Sequence, residues 1–145
     1  MPEPFRLFAP PPAITEKILL VQSDVLYLAL SMSYVQEVLL NVPVVKQDPN
    51  SAKSPSIIQF RDMAVPVVLG NKACPPHPTT IVVLFRSEAL KTGLMGIACA
   101  ELPVMASISA EDWLSPVPPL PAPWQSDGKG YRRDNQLYIH AVGLG

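Results

Sequence analysis

The chain has 145 residues, of which 48% are hydrophobic and only 16% are charged, and its formal net charge at pH 7 is -1. This length suggests one domain of ordinary size, and a charge content below the usual ~25% indicates that much of the chain is buried or faces partners. The basic residues are scattered and no run of ~18 apolar residues exists, so we expect no nucleic-acid partner, no transmembrane helix and no direct membrane insertion.

Residues 1–15 are predicted to form a flexible, proline-rich arm, and residues 16–145 to form a single domain. Five of the 18 prolines fall within the first twelve residues, where they break up any continuous apolar segment. The arm therefore lacks the apolar core of a signal peptide, and we expect a cytoplasmic protein.

The first predicted element is a tight hairpin, in which Ile18–Gln22 and Val25–Leu30 flank a turn at Ser23-Asp24. Both strands are apolar throughout, as expected of strands buried on both faces. The next segment, Ser31–Leu40, leaves two possibilities open. Its apolar residues recur at helical spacing, which favours a short helix, but the β-branched run Val42–Val45 that follows equally favours a strand.

A polar loop over Asp48–Pro55 leads to the central predicted hairpin, which joins Ile57–Phe60 to Ala64–Leu69. Two apolar, largely β-branched runs around the turn Arg61-Asp62 are a hairpin signal. Arg61 is a fixed cation at the point where a buried strand reaches the surface, which suits partner binding better than catalysis. The alternative is that its guanidinium braces a neighbouring loop through main-chain carbonyls.

The second half of the chain is predicted to contain further short strands and one long irregular segment, Ser115–Gly130. Ala110–Trp113 is predicted to be a single helical turn. About nine strands in all are typical of a sandwich or of small barrels. The predicted strands of this half are Thr80–Phe85, Thr92–Cys99, Leu102–Ile108, Tyr131–Arg133 and Gln136–Val142.

The sequence offers little material for catalysis. Its two histidines, His77 and His140, stand in no recognised nucleophile, metal or phosphate-binding motif. The two cysteines, Cys74 and Cys99, form no metal-ligand pair, and we expect them to be small core residues. We therefore predict no catalytic residue, no cofactor and no metal site. A small enzyme of an unrecognised β-barrel family stays as an alternative, which predicts a deep pocket with convergent polar groups.

The order of four segments resembles the CheW-like domain, the adaptor of bacterial chemosensory arrays. The run Ile57–Val68 is similar to the most diagnostic segment of that family, V-I-N-L-R-G-x-x-[IV]-P-[VI]-V. The other segments similar to that family are Tyr27–Leu30 with Val35–Val38, Ile81–Leu84 with Gly96–Val104, and Arg132–Val142. Together the four segments span roughly residues 17–144.

The resemblance implies an all-β fold of two packed, five-stranded SH3-like barrels. It implies a non-enzymatic adaptor that couples a CheA-type histidine kinase, bound at barrel ends, to a methyl-accepting chemoreceptor, bound in the groove between barrels. The residues that match partner-binding positions of the family are Arg61, Val35, Gln36 and Glu37. The alternative to partner binding is core packing for Val35. For Glu37 the alternative is a solvated surface charge with no partner.

Three residues depart from the family pattern. Asp62 stands where the family usually has glycine, Leu69 where it has aspartate, and Ser31 where it has proline. These departures, with the unusual segment Pro116–Pro123, keep a second hypothesis open. In that alternative the chain is a structural or regulatory interaction protein that has lost the coupling of kinase to receptor.

Overall fold

The computed structural model describes residues 15–91 and 93–145, and nearly all of its regular structure is β-strand. Within these residues no helix is long and apolar enough to cross a membrane. The twelve strands are β1 Thr15–Ser23, β2 Leu26–Ser31, β3 Val35–Val42, β4 Val45–Lys46, β5 Ser56–Phe60, β6 Met63–Leu69, β7 Lys72–Ala73, β8 Thr79–Phe85, β9 Leu94–Cys99, β10 Val104–Ser109, β11 Trp124–Arg133 and β12 Gln136–Leu144.

The strands form two sheets that are built in the same way. The first has the order β10-β1-β2-β12-β11, and the second has the order β3-β8-β9-β6-β5-β4, with β7 beside β6. Each sheet consists of two antiparallel hairpins joined by one parallel pair, β2 with β12 in the first sheet and β6 with β9 in the second. Each is completed by an edge strand that arrives from the other sheet: β3 follows β2, and β10 follows β9.

The chain brings the two edges of each sheet close together. In the second sheet β3 lies on one edge and β4 on the other, although only Pro43 and Val44 separate them along the chain. In the first sheet the segment after β10 reaches the far edge, where Leu114 and Gly130 exchange backbone hydrogen bonds of 2.8 and 2.9 Å. The two sheets thus form two subdomains of the SH3-like type, and neither is a fully hydrogen-bonded closed barrel among the described residues.

Three apolar clusters hold the molecule together. One fills the first sheet, around Ile18 and Ile108, and another fills the second, around Ile58 and Ile81. The third and largest lies between the sheets and draws side chains from both, including Leu28 of the first sheet and Ile97 of the second. Because buried apolar area is the main stabilising contribution, this third cluster fixes how the two sheets pack.

The predicted all-β fold of two packed subdomains is confirmed, with two short additions. Beyond its five longer strands, the second sheet carries the two-residue strands β4 and β7, which sequence patterns did not predict. The open choice at Ser31–Leu40 is resolved as a 3₁₀ turn at Met32–Tyr34 followed by strand β3. Helical spacing was misleading there because Val35 and Val38 pack on the inter-sheet cluster from a strand.

Two other boundaries differ from the prediction. Strand β11 begins at Trp124, so the final part of the predicted irregular segment is a bulged strand instead. Trp124 is buried in the inter-sheet cluster, an anchor that the surrounding prolines and glycines conceal in the sequence. Most of the predicted N-terminal arm, residues 1–14, and also Thr92 lie outside the described residues, and Thr15 already belongs to β1.

Candidate functional site

Arg61 and Asp62 form the two-residue turn between β5 and β6, and both have positive φ, 49° and 62°. Such turns match the twist of a hairpin but favour asparagine and glycine. Aspartate tolerates this conformation, whereas the long side chain of arginine has no local hydrogen bond to offset it. The hairpin between β11 and β12 makes the equivalent turn with Asp134 and Asn135, which suit it. Arg61 therefore stands in a costly conformation, which is a feature of functional positions.

The Arg61 side chain is exposed. Its guanidinium carbon lies 4.7 Å from the centroid of the Phe60 ring, which steadies it by a cation-π contact. Among the described residues it makes no salt bridge and donates no side-chain hydrogen bond, so nothing there corresponds to a brace on a neighbouring loop. A guanidinium carries five N–H donors in a fixed fork, a geometry that suits carboxylates and carbonyls.

The other predicted binding residues lie at the start of β3. Val35 is half-buried and packs on the inter-sheet cluster, as its core-packing alternative predicted, whereas Glu37 is exposed and Gln36 is half-buried. Strands β3, β9 and β6 run in one direction and β8 and β5 in the other. The start of β3 and the Arg61 turn consequently belong to the same end of the second sheet, although β8, β9 and β6 stand between their strands.

A groove of about 520 Å³ runs between the two sheets. Its walls are mainly apolar, with Pro66 and Met95 from the second sheet and Leu144 from the first. Two cations, Lys53 and Arg86, also line it. Arg61 does not line this groove.

A polar cluster centred on His140 lies at the junction of the two sheets. His140 in β12 is buried, and its Nδ1 lies 2.9 Å from Asp127 Oδ2 in β11. On the other side of the ring, Nε2 lies 3.2 Å from Ser31 Oγ and 3.4 Å from Glu88 Oε2. Trp113 covers the imidazole, with ring centroids 4.7 Å apart. Glu88 belongs to the loop between β8 and β9, so its pairing with His140 links the second sheet to the first.

The two carboxylates control the charge of His140. Burial alone would lower the pKa of His140, but hydrogen bonds to Glu88 and Asp127 outweigh burial and raise it above its usual 6.5. The hydrogen bond from His140 correspondingly lowers the pKa of Glu88, against the opposing effect of burial. When His140 is protonated, it forms ion pairs with both carboxylates, Asp127 on Nδ1 and Glu88 on Nε2.

Sequence reasoning missed this cluster because its members come from four distant parts of the chain. The one available signal was Ser31, a polar residue at a position where the family that the sequence resembles has proline. Proline has no hydroxyl, and in this chain Ser31 Oγ contacts His140 Nε2. The contact with His140 therefore gives a physical reason for serine at position 31.

A second polar link joins the sheets near the β1–β2 turn. The Ser23 hydroxyl donates to the Ala98 carbonyl at 2.5 Å and accepts the Gly70 N–H at 2.7 Å. Trp124 Nε1 donates to the Gly70 carbonyl at 2.9 Å, and Lys72 Nζ lies 3.1 Å from Asp24 Oδ2. Buried polar groups paired in this way fix the register between the sheets.

Within the described residues no group of three or more His, Cys, Asp or Glu side chains is arranged to hold a metal ion. In the His140 cluster the two carboxylates lie against different ring nitrogens. Cys74 and Cys99 are both buried and unpaired. Burial raises the pKa of the Cys99 thiol to about 12 and also raises that of Cys74. Both are protonated at neutral pH and therefore poor nucleophiles.

A scan against models of protein families and a search of curated proteins each found no match. Solved structures do match. The crystal structure of the scaffolding protein TtCheW from Thermoanaerobacter tengcongensis aligns with a TM-score of 0.64 over 88% of this chain and 89% of that chain, at 16% sequence identity. The two chains share a fold along nearly their whole length while their sequences have diverged widely. The chain therefore has a CheW-like fold.

Proposed function

We propose that the chain is a non-enzymatic signalling adaptor that couples a CheA-type histidine kinase to methyl-accepting chemoreceptors in a chemotaxis, phototaxis or pilus-motility pathway. The observation that carries this proposal is the likeness to a scaffolding protein over 88% of the chain. It agrees with the independent resemblance of the segment around Arg61 to that family. In this role the protein works in the cytoplasm.

An adaptor needs at least two binding surfaces, and the structure offers two that differ in character. The first is the exposed end of the second sheet, with Val35, Gln36, Glu37 and Arg61. The second is the inter-sheet groove with its apolar walls. We propose that these surfaces make separate contacts, one with the receptor and the other with the kinase.

The chemistry of the groove suits an amphipathic helix. Pro66, Met95 and Leu144 supply apolar contacts, and Lys53 and Arg86 favour an acidic residue on the approaching helix. A partner helix with an acidic residue beside an apolar stripe would satisfy both features. At the end surface the Arg61 guanidinium, which the resemblance matches to a receptor-proximal arginine, would contact a carboxylate or loop carbonyls of a partner.

The test is binding of the full chain to a CheA-type regulatory domain and, separately, to a receptor signalling tip. We expect dissociation constants of tens of micromolar or tighter for each, measured by calorimetry. Arg86→Gln in the groove should weaken one complex, and Arg61→Asn at the end surface should weaken the other. If neither partner binds at about 100 µM, the adaptor proposal is wrong. That result would support the alternative, in which the chain keeps the fold but has lost the coupling of kinase to receptor.

A further inference from the structure

In the proline-rich segment from Pro116 to Pro123, only the last residue, Pro123, lines the groove proposed as an adaptor surface, and the rest of the segment has no role there. It holds five prolines in eight residues, and no charged residue lies between Ser115 and Gln125. From Val117 to Pro121 it forms neither strand nor turn. All of its prolines are exposed. An exposed and uncharged run of this kind needs a physical account.

The two half-buried residues of this segment, Val117 and Leu120, are three residues apart in the sequence. Pro118, Pro119 and Pro121 are exposed. A polyproline II helix has three residues per turn, so residues three apart lie on the same face. The pattern places Val117 and Leu120 on the face toward the body, with the prolines on the two outer faces. We call the stretch Pro116–Ala122 the proline ridge.

The ridge is fastened to the body at several points. The Val117 N–H donates to the Gly128 carbonyl at 3.2 Å, and Leu120 packs on the inter-sheet cluster. At its far end the Trp124 N–H donates to the Pro121 carbonyl at 3.0 Å, and Trp124 itself is buried. The Val117 and Leu120 contacts fix the ridge on the body, and the Trp124 hydrogen bond closes a turn at its end. A partner would therefore not have to order the ridge, and preorganisation of this kind increases affinity.

Prolines recur three residues apart on the exposed side of the ridge, Pro116 with Pro119 and Pro118 with Pro121, and all four are exposed. Grooves lined by aromatic side chains recognise prolines at this spacing. A strongly charged surface would find no counterpart on the ridge. We propose that the proline ridge is a docking site for a protein with an aromatic-lined, polyproline-binding groove.

The proposal can be tested with the ¹⁵N-labelled full chain and three polyproline-binding modules as probes, an SH3, a WW and an EVH1 domain. At least one should shift the backbone amide signals of Val117, Leu120, Ala122 and Trp124. The double variant Pro118→Ala/Pro121→Ala should weaken that binding by ~10-fold or more. Its matched control is Pro75→Ala/Pro78→Ala, which replaces two exposed prolines of another loop and should leave binding unchanged.

Each variant should keep the urea midpoint of the wild-type chain within error, because the replaced prolines are exposed. If none of the three probes binds at about 1 mM, the proposal is wrong. It is equally wrong if the ridge double variant binds as tightly as the wild type. If the wild type self-associates in sedimentation experiments and the ridge double variant does not, the ridge binds a second copy of this chain and not a separate partner.

Discussion

His140 Nε2 in the first sheet lies 3.4 Å from Glu88 Oε2 in the second sheet, and this pair is an ionic link between the two subdomains. The backbone around Glu88 reinforces it. The Glu88 N–H donates to the Val142 carbonyl at 3.0 Å, and the Leu144 N–H donates to the Arg86 carbonyl at 2.8 Å. The loop between β8 and β9 is therefore joined to β12 by both side chain and main chain.

The first prediction concerns pH. Below its usual pKa of 6.5, His140 is protonated in both the folded and the unfolded chain, and its stabilising contribution is fully present. That contribution is lost as pH rises through the higher pKa of the folded state. Glu88 has a lowered pKa, so its contribution is present above 4.5 and is lost as pH falls through the folded-state pKa. The ion pair therefore stabilises the fold most between pH 4.5 and 6.5.

The variant His140→Asn makes this prediction measurable. In urea unfolding near pH 5.5 we expect it to be less stable than the wild type by about 1–2 kcal/mol, a value reduced by the partial exposure of Glu88 and Asp127. The difference should shrink as pH rises through the raised folded-state pKa of His140, where the wild type loses its imidazolium. His77→Asn, in an exposed loop, is the control and should show no such trend. A difference that grows with pH would contradict the assignment.

The second prediction isolates the link across the sheets. Glu88→Gln removes one of the two carboxylates that hold the proton on His140, so the pKa of His140 should fall relative to the wild type. An NMR titration of the imidazole protons measures this directly, with His77 as an internal reference. Asp127→Asn should lower the same pKa without affecting the contact between the sheets. An unchanged His140 titration in Glu88→Gln would show that the two groups do not interact in solution.

The third prediction separates binding from folding at Arg61. Arg61→Asn places a residue suited to positive φ in the turn, so the free energy of unfolding should stay equal or rise by about 0.5 kcal/mol. Partner binding should weaken, because the guanidinium is lost. Arg132→Asn, at another exposed arginine, is the matched control for charge. Unfolding of Arg61→Asn with loss of the hairpin would instead make Arg61 a structural residue.

The hairpins were predictable because each is local. A β-branched run, a two-residue turn and a second run within about 13 residues specify Ile57–Val68 almost independently of the rest of the chain. The sheet order was beyond such reasoning, since the parallel pairs join strands far apart in sequence. At Ser31–Leu40 local spacing and tertiary packing disagreed, and packing prevailed because Tyr34 is buried with its hydroxyl donating to the Ala141 carbonyl.

The candidate site likewise contains some residues that the sequence could predict and others that it could not. Arg61 was found because its turn is local, and the expectation of an exposed cation there agrees with the structure. The partners of His140 lie 13, 52 and 109 residues away, so no spacing rule connects them. The groove was expected only from the family resemblance, and its lining by Arg86 and Leu144 follows from how the two sheets pack.

The last prediction tests whether that packing shapes the groove. Gly143 forms a β-bridge with Ser87 in the loop between β8 and β9, and an added Cβ would stand 2.9 Å from the Arg86 carbonyl oxygen. Because backbone cannot yield as a flexible side chain can, Gly143→Ala should push the loop away and cost about 1–3 kcal/mol. Arg86 and Leu144, which bond across this point, also line the groove, so binding in the groove should weaken as well. Gly145→Ala, whose added Cβ meets nothing closer than 3.4 Å, is the steric control and should leave the free energy of unfolding unchanged. If Gly143→Ala retained full stability in urea unfolding, the sheets would be free to separate at this point, and the groove would not be a rigid feature of the fold.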